Sequence, residues 1–294
     1  MVLAAGRGTR LEPLTHELPK PLCPIGGCAP IDRIIAELLR AGATRVVVNA
    51  FHLAAAYDDA FVARQPVAVD VLRESTLLGT AGGVANARHL LGGGDVVVWN
   101  GDILAEIDVG ALVAARRKTD ALAILAVRPR PAGEGAVGLD DEGRVVRLRS
   151  SRRAGEQAGG DYAGIAVLSA RCVAGLPTSG CIVGDAWIPM LVGGGADAAR
   201  IESMAYRGPF RDIGSAAEYL AANLDAADAV GGSVVAAHVT IAAGITIDRC
   251  VIGEGARVVG SGALRRVVAW PGAVVTAPLE DAIVTARGTT FVRG

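Results

Sequence analysis

The sequence carries almost no surplus of charge. Its 29 basic side chains stand against 30 acidic ones over 294 residues, a net charge of −1. That balance argues against a protein that coats nucleic acid and leaves any phosphate site to be local. No uninterrupted apolar stretch is long enough to span a bilayer, and the opening residues read as a strand and a glycine loop rather than a secretion signal. Cysteines are few and scattered, at Cys23, Cys28, Cys172, Cys181 and Cys250. An odd set without paired metal-ligand spacing argues against a disulfide framework or a zinc centre and suits reduced thiols in the cytoplasm. The histidines, His16, His52, His89 and His238, form no triad with an identifiable serine or cysteine nucleophile. A Walker A loop is also missing, since G-x-x-x-x-G-K-[ST] does not occur.

What the sequence does have is alternation. Residues 31–41 place Ile31, Ile34, Ile35, Leu38 and Leu39 on one helical face, with Gly42 as the stop. Residues 44–49, 67–72, 96–99 and 121–127 read as buried strands, and 109–118 as a helix. This βα alternation with continuous apolar strands predicts a Rossmann-like α/β fold, a mostly parallel sheet with helices on both faces. Ligands bind such sheets at the carboxyl ends of the strands. The glycine loop after the first strand and the segment Asn100-Gly101-Asp102 both fall at such ends. With only Met1 and Val2 ahead of that loop, a clipped first strand is expected.

The most informative run is Leu3-Ala4-Ala5-Gly6-Arg7-Gly8-Thr9-Arg10-Leu11, continued by Glu12-Pro13-Leu14-Thr15 and Pro19-Lys20-Pro21-Leu22. Glycines let a backbone approach a polyanion and aim N–H groups at phosphate oxygens. Arg10 and Lys20 add fixed positive charge against those oxygens. Pro19 and Pro21 stiffen the segment that presents the lysine.

The combination of AAGRGTRL, EPLT and PKPL closely resembles the signature of the sugar-1-phosphate nucleotidyltransferases, also called nucleotide-sugar pyrophosphorylases. The resemblance implies that a sugar 1-phosphate oxygen attacks the α-phosphorus of a nucleoside triphosphate in line and pyrophosphate leaves. Catalysis is then mostly alignment and charge neutralisation. It implies a nucleotide cradle of Leu3, Ala4, Ala5, Gly6, Gly8 and Thr9, with Arg10 on the transferring and leaving phosphates and Lys20 positioning phosphate. Val96-Val-Val-Trp-Asn100-Gly101-Asp102 resembles the family's strand ending in N-G-D, which implies Asp102 as a magnesium ligand. Phe210-Arg-Asp212-Ile213-Gly214-Ser215 resembles W-x-D-I-G-T and implies Asp212 as the second; Phe210 and Ser215 are mild departures. Two carboxylates plus substrate phosphates suit Mg2+.

Glu74-Ser-Thr-Leu-Leu-Gly79-Thr80-Ala81-Gly82-Gly83 resembles the family's base-recognition loop. Gly79 would let a planar base lie against the backbone, with Thr80 beside it. A carboxylate at Glu74 is able to accept the adjacent N1–H and N2–H donors of guanine. L-G-T-A-G resembles the mannose-1-phosphate guanylyltransferase-like branch, so GTP and a mannose 1-phosphate-like acceptor are favoured. A uridylyl- or thymidylyltransferase acting on another sugar 1-phosphate stays open.

The sugar half departs from the family. The E-K-P triplet is absent, and residues 145–153 instead carry Arg149, Arg152 and Arg153, which either supply phosphate charge or are surface residues. Asp161-Tyr162-Ala163-Gly164-Ile165-Ala166-Val167-Leu168 resembles N-A-G-I-Y-V-L, with Tyr162 in place of asparagine. Tyr162, Gly164 and Gly135 are the implied sugar contacts. The missing triplet keeps a non-catalytic nucleotide-sugar-binding regulator open as an alternative.

After about residue 230 helical periodicity stops. Val239, Ile245 and Val251 are spaced by six, as are Ile252 and Val258, and Val268 and Val274. Hexapeptide spacing predicts a short left-handed parallel β-helix over 230–294, after a catalytic domain over 1–229. The phase slips at 260–266, where a loop or an irregular coil is expected. Apolar coil ends predict a homo-oligomer, and removing the tail is expected to leave the nucleotide site formed. An acyltransferase in the tail is poorly provided for, since His238 is its one histidine. The expected partners are an NTP and a sugar 1-phosphate, with no nucleic acid and no membrane.

Overall fold

The computed structural model describes residues 1–193 and 201–292. The chain forms two compact units, Met1–Gly6 with Ile34–Phe210, and Arg7–Arg33 with Arg211–Gly294. A cut at 229/230 therefore falls inside the second unit.

The first unit is built on a mixed sheet. Ala68–Arg73, Arg45–Ala50, Val2–Leu3 and Val96–Asn100 lie side by side in that order, all parallel. Their connections carry helices such as Pro30–Arg40 and Gly79–Asn86, as parallel crossovers require. The long strand Ala158–Leu168 then runs antiparallel to Val96–Asn100 and to Ala123–Arg130, and Ile201–Ala205 returns parallel to the latter. Val137–Leu139, Val145–Leu148 and Ser151–Arg152 add antiparallel pairs at the far side. The expectation of a mostly parallel sheet is corrected here: only the first four strands form a parallel run. Short turns join Val137–Leu139 to Val145–Leu148 and the latter to Ser151–Arg152, as antiparallel neighbours allow, whereas Ala158–Leu168 reaches its antiparallel partners through longer connections.

The helix Pro30–Arg40 buries Ile31, Ile34, Ile35 and Leu38, whereas Leu39, expected on the same face, is 38% exposed. Gly42 ends it with a φ of 88°, a conformation glycine adopts without a Cβ penalty. The first strand, Val2–Leu3, is two residues long. It nevertheless aligns the sheet's working edge, because Leu3 pairs with Asn49 on one side and Asn100 on the other. The N–H of Gly101 donates to the Leu3 carbonyl at 2.8 Å, so the turn holding Asp102 leaves from that same edge.

In the second unit the helix Ala216–Ala229 is capped by Ser215, whose hydroxyl accepts from the N–H of Glu218 at 3.2 Å and donates to its carboxylate at 3.0 Å. Beyond the helix, strands pair in parallel with a constant offset: Val234 with Val251, Val251 with Val268, Thr240 with Arg257, and Arg257 with Val274. Each pair is separated by 17 residues. The buried positions Ile252, Val258, Leu264, Ala269 and Val275 explain the offset, since they follow at steps of six, six, five and six. The phase slip expected at 260–266 appears as a register shift between Gly260 and Leu264, within the continuous strand Arg257–Ala269. Gly260 has a φ of 89°, and a Cβ there would stand 2.5 Å from the Ala277 carbonyl oxygen. The last strand, Gly288–Phe291, folds back antiparallel on Val274–Thr285.

No helix among the described residues is long and apolar enough to cross a membrane.

Candidate active site

In the first unit the candidate residues gather at the carboxyl edge of the parallel strands. Ala4 and Ala5 are buried, while Gly6 is exposed with no atom within 4 Å of where its Cβ would be. The N–H of Ala4 donates to the side-chain carbonyl of Asn49 at 2.9 Å. Asp102 is half-buried in the turn after Val96–Asn100. Asn100 itself packs on Gly164, where a Cβ would come within 2.9 Å of its side-chain nitrogen. Gly164 has a φ of 73° and lies in the bulge between Tyr162 and Ala166 that bends the long strand.

The base-loop residues stand in the same unit. Glu74 is buried, 8% exposed, and both its oxygens are engaged, by the Asn49 amide at 2.7 Å and the Leu78 N–H at 3.1 Å. Gly79 has a φ of 77°, and the space its Cβ would take is filled by the Gly180 carbonyl oxygen at 2.4 Å. Its glycine identity is thus demanded by chain packing on that side. The Thr80 hydroxyl accepts from the N–H of Ile182 at 2.7 Å, so residues 178–182 and the start of the helix Gly79–Asn86 are stitched together.

The sugar-half candidates are partly taken up by packing. Tyr162 meets Trp187 edge to face at 5.4 Å, and burial pushes its phenol well above the usual range. Gly135, with a φ of 69°, presses on the Gly160 carbonyl oxygen, which a Cβ would meet at 2.3 Å. Arg149 has a φ of 54°, is exposed and makes no ion pair among the described residues; its guanidinium donates to the Cys181 sulfur at 3.5 Å. Burial would raise the Cys181 thiol, but hydrogen bonds from the Gly184 and Val183 N–H groups, the Arg149 charge and the Thr80 hydroxyl outweigh it and hold the thiol low.

The second unit holds five other candidates, Gly8, Thr9, Arg10, Lys20 and Asp212. Gly8 takes a φ of 64°, and a Cβ there would meet the Thr15 methyl at 2.8 Å; the Thr15 hydroxyl donates to the Gly8 carbonyl at 3.1 Å. Thr9 and Arg10 follow in the short helical turn Thr9–Leu11. The Arg10 guanidinium lies against Gly214, where a Cβ would stand 2.9 Å from it. Lys20 is buried, and its ammonium is 3.8 Å from the Asp212 carboxylate. The lysine segment is held from the C-terminal side. The Gly26 N–H donates to the Asn223 side chain at 3.0 Å, and the Tyr219 hydroxyl donates to the Pro24 carbonyl. Burial pushes the Cys23 thiol up to about 12 against the pull of Lys20, which removes it as a nucleophile.

Asp102 and Asp212 are hard oxygen donors that keep exposure, Asp212 at 47%. One or two carboxylates completed by phosphate oxygens are a fit for Mg2+. Among the described residues no group of three or more histidine, cysteine or acidic side chains is placed to hold a metal alone.

The family described as Nucleotidyl transferase matches residues 1–149. The chain belongs to that family. The nucleotidyl transferase match ends ahead of Tyr162, Gly164 and Asp212. N-acetylmuramate alpha-1-phosphate uridylyltransferase of Neisseria meningitidis is 40% identical over 114 residues, covering 38% of this chain and 49% of the relative. Mannose-1-phosphate guanylyltransferase of Mycobacterium tuberculosis is 31% identical over 150 residues, covering 50% and 42%. The chain thus spans about half the length of these relatives or less. Glucose-1-phosphate thymidylyltransferase of Streptomyces antibioticus is 29% identical over 279 residues, covering 89% and 74%. Among solved structures, HddC from Yersinia pseudotuberculosis shares the fold with a TM-score of 0.62 at 23% identity, over 76% of this chain and 97% of that one.

Asn49 is the residue that the sequence alone did not single out. Its signal was there: a polar side chain ending the apolar strand Arg45–Ala50, level with Asn100.

Proposed function

We propose that this nucleotidyl transferase moves a nucleoside monophosphate from an NTP to a sugar 1-phosphate and releases pyrophosphate. The observation that carries it is the loop Ala4–Gly6 leaving the carboxyl edge of the parallel strands beside the turn of Asp102, where nucleotides bind α/β sheets. Backbone N–H groups of the glycine loop orient the phosphates. Arg10 neutralises charge that builds on the transferring and leaving groups, and Lys20 positions phosphate. Asp102 and Asp212 are the proposed magnesium carboxylates, on the strength of their motifs. Bound magnesium supplies charge neutralisation to the phosphates. Gly135, Tyr162 and Gly164 shape the sugar end.

GTP and a mannose 1-phosphate-like acceptor are the preferred pair, supported by the L-G-T-A-G run and the M. tuberculosis relative. HddC was solved with GMP-PN. One observation favours UTP as the second reading: both Glu74 oxygens are already engaged, which weakens its fitness as a guanine reader. We read the stacked strands beyond residue 230 as a short left-handed parallel β-helix that joins copies of the chain. Pyrophosphate release from GTP, UTP, dTTP, ATP and CTP against mannose, glucose and amino-sugar 1-phosphates tests the function. The highest kcat/KM is expected for GTP with mannose 1-phosphate. Silence with every pair overturns transfer in favour of a binding regulator.

A further inference from the structure

Three segments at the sheet's carboxyl edge are joined by one buried chain of hydrogen bonds. The Ala4 N–H donates to Asn49 Oδ1 at 2.9 Å, Asn49 Nδ2 donates to Glu74 Oε1 at 2.7 Å, and the Leu78 N–H donates to Glu74 Oε2 at 3.1 Å. Asn49 is 2% exposed and Glu74 8%. Gly83 closes the back of the pair, because a Cβ there would stand 2.6 Å from Asn49 Nδ2 and 3.2 Å from Glu74 Oε1.

A buried amide and carboxylate are costly to desolvate, and apolar side chains would fill the same volume without that cost. What apolar side chains lack is direction. Ala4 sits just past the strand Val2–Leu3 and Leu78 just ahead of the helix Gly79–Asn86, so no ladder orients their N–H groups. The Asn49–Glu74 pair does, and it ties the start of the phosphate loop to the entrance of the helix Gly79–Asn86.

We propose that Asn49 and Glu74 are positioning residues that set the phosphate loop and the base loop relative to each other, without touching substrate. The proposal rests on the nucleotidyl-transfer reading. It assigns Glu74 a role common to all bases, instead of the selection of guanine.

The donor pattern supplies its own test. In Asn49→Asp two carboxylates face each other. In Glu74→Gln one of the two bonds becomes donor against donor, whichever way the amide is turned. The combination of both substitutions restores all three hydrogen bonds, with the glutamine amide now donating to the aspartate. Each single variant is expected to lose about ten- to a hundredfold in kcat/KM, by the same factor for GTP and UTP, and the pair to recover to within about threefold of the parent. Where Asn49→Asp does not fold, Asn49→Ser deletes the bridge without adding charge and is read the same way. Single variants that melt earlier but keep full kinetics at a temperature where they are folded overturn the proposal. A Glu74→Gln variant that changes the GTP-to-UTP ratio, unrescued by Asn49→Asp, also overturns it and makes Glu74 a direct reader. If the parent chain releases no pyrophosphate at all, the transfer reading fails while the positioning proposal is decided by GTP and UTP dissociation constants across the same variants. A parent that binds neither nucleotide overturns both.

Discussion

The buried ammonium of Lys20 stands 3.8 Å from the carboxylate of Asp212, although 191 residues separate them in sequence. One residue was read as a phosphate partner and the other as a metal ligand, and the fold makes them neighbours. Asp212→Ala and Asp102→Ala are each expected to lower kcat by about a thousandfold or more with the fold intact. Lys20→Ala should cost about a hundredfold in kcat/KM with the base preference unchanged. Pyrophosphate release and circular dichroism check both; ordinary turnover in either aspartate variant removes the magnesium assignment.

Gly214→Ala places a methyl group 2.9 Å from the Arg10 guanidinium and 2.7 Å from the Glu218 carboxylate. Both neighbours are ends of flexible side chains, so the chain should fold and Arg10 should move. The expected outcome is about a tenfold loss in kcat with little change in Tm. An unaltered kcat would separate Arg10 from the reaction.

Removing the chain beyond residue 230 takes away Trp270, whose indole N–H donates to the Tyr219 hydroxyl at 2.9 Å, and Thr285, whose hydroxyl donates to Glu17. It also removes Arg287, which donates to the His16 carbonyl at 3.2 Å. These contacts brace the segment that carries Lys20. Truncation is therefore expected to lower Tm and phosphate affinity as well as the mass in solution, contrary to the expectation that the nucleotide site survives. A truncated chain with parental Tm and NTP affinity would show that the brace is dispensable.

Arg147 and Glu156 form an ion pair, at 10% and 17% side-chain exposure, with bonds of 2.8 and 2.9 Å. The hydrogen bonds from Arg147 hold the Glu156 carboxyl down at about 2. A depressed carboxylate contributes stability that is present above its ordinary value of 4.5 and is lost as pH falls through about 2. The loss should be on the order of 2 kcal/mol. Acid unfolding of Glu156→Gln should show a lower neutral stability and a shallower decline across that window; a curve parallel to the parent's would remove the pair from the acid transition.

Much of this was legible in local patterns. The helix 31–41, the strands near 44–49, 67–72 and 96–99, and the six-residue steps of the tail all rest on periodic burial, which a sequence displays directly. The glycines were harder. Gly79 was read as letting a base lie against the backbone and Gly135 as an implied sugar contact. The structure adds that the space a Cβ would take at each is filled by the backbone of Gly180 and Gly160. Which neighbour occupies that space is decided by residues 25 to 101 positions away, and no local pattern encodes it.

The sequence by itself determined the groups on offer: a glycine loop at a strand end, the positive charges of Arg10 and Lys20, and carboxylates at Asp102 and Asp212. Residue type and short spacing suffice for that, because backbone freedom and charge are local properties. Only the tertiary structure decided that Lys20 meets Asp212, that Glu74 is bound to Asn49 and Leu78, and that the lysine segment is braced by Trp270 through Tyr219. Those are relations between distant segments, set by which buried polar groups find partners once the apolar core has packed.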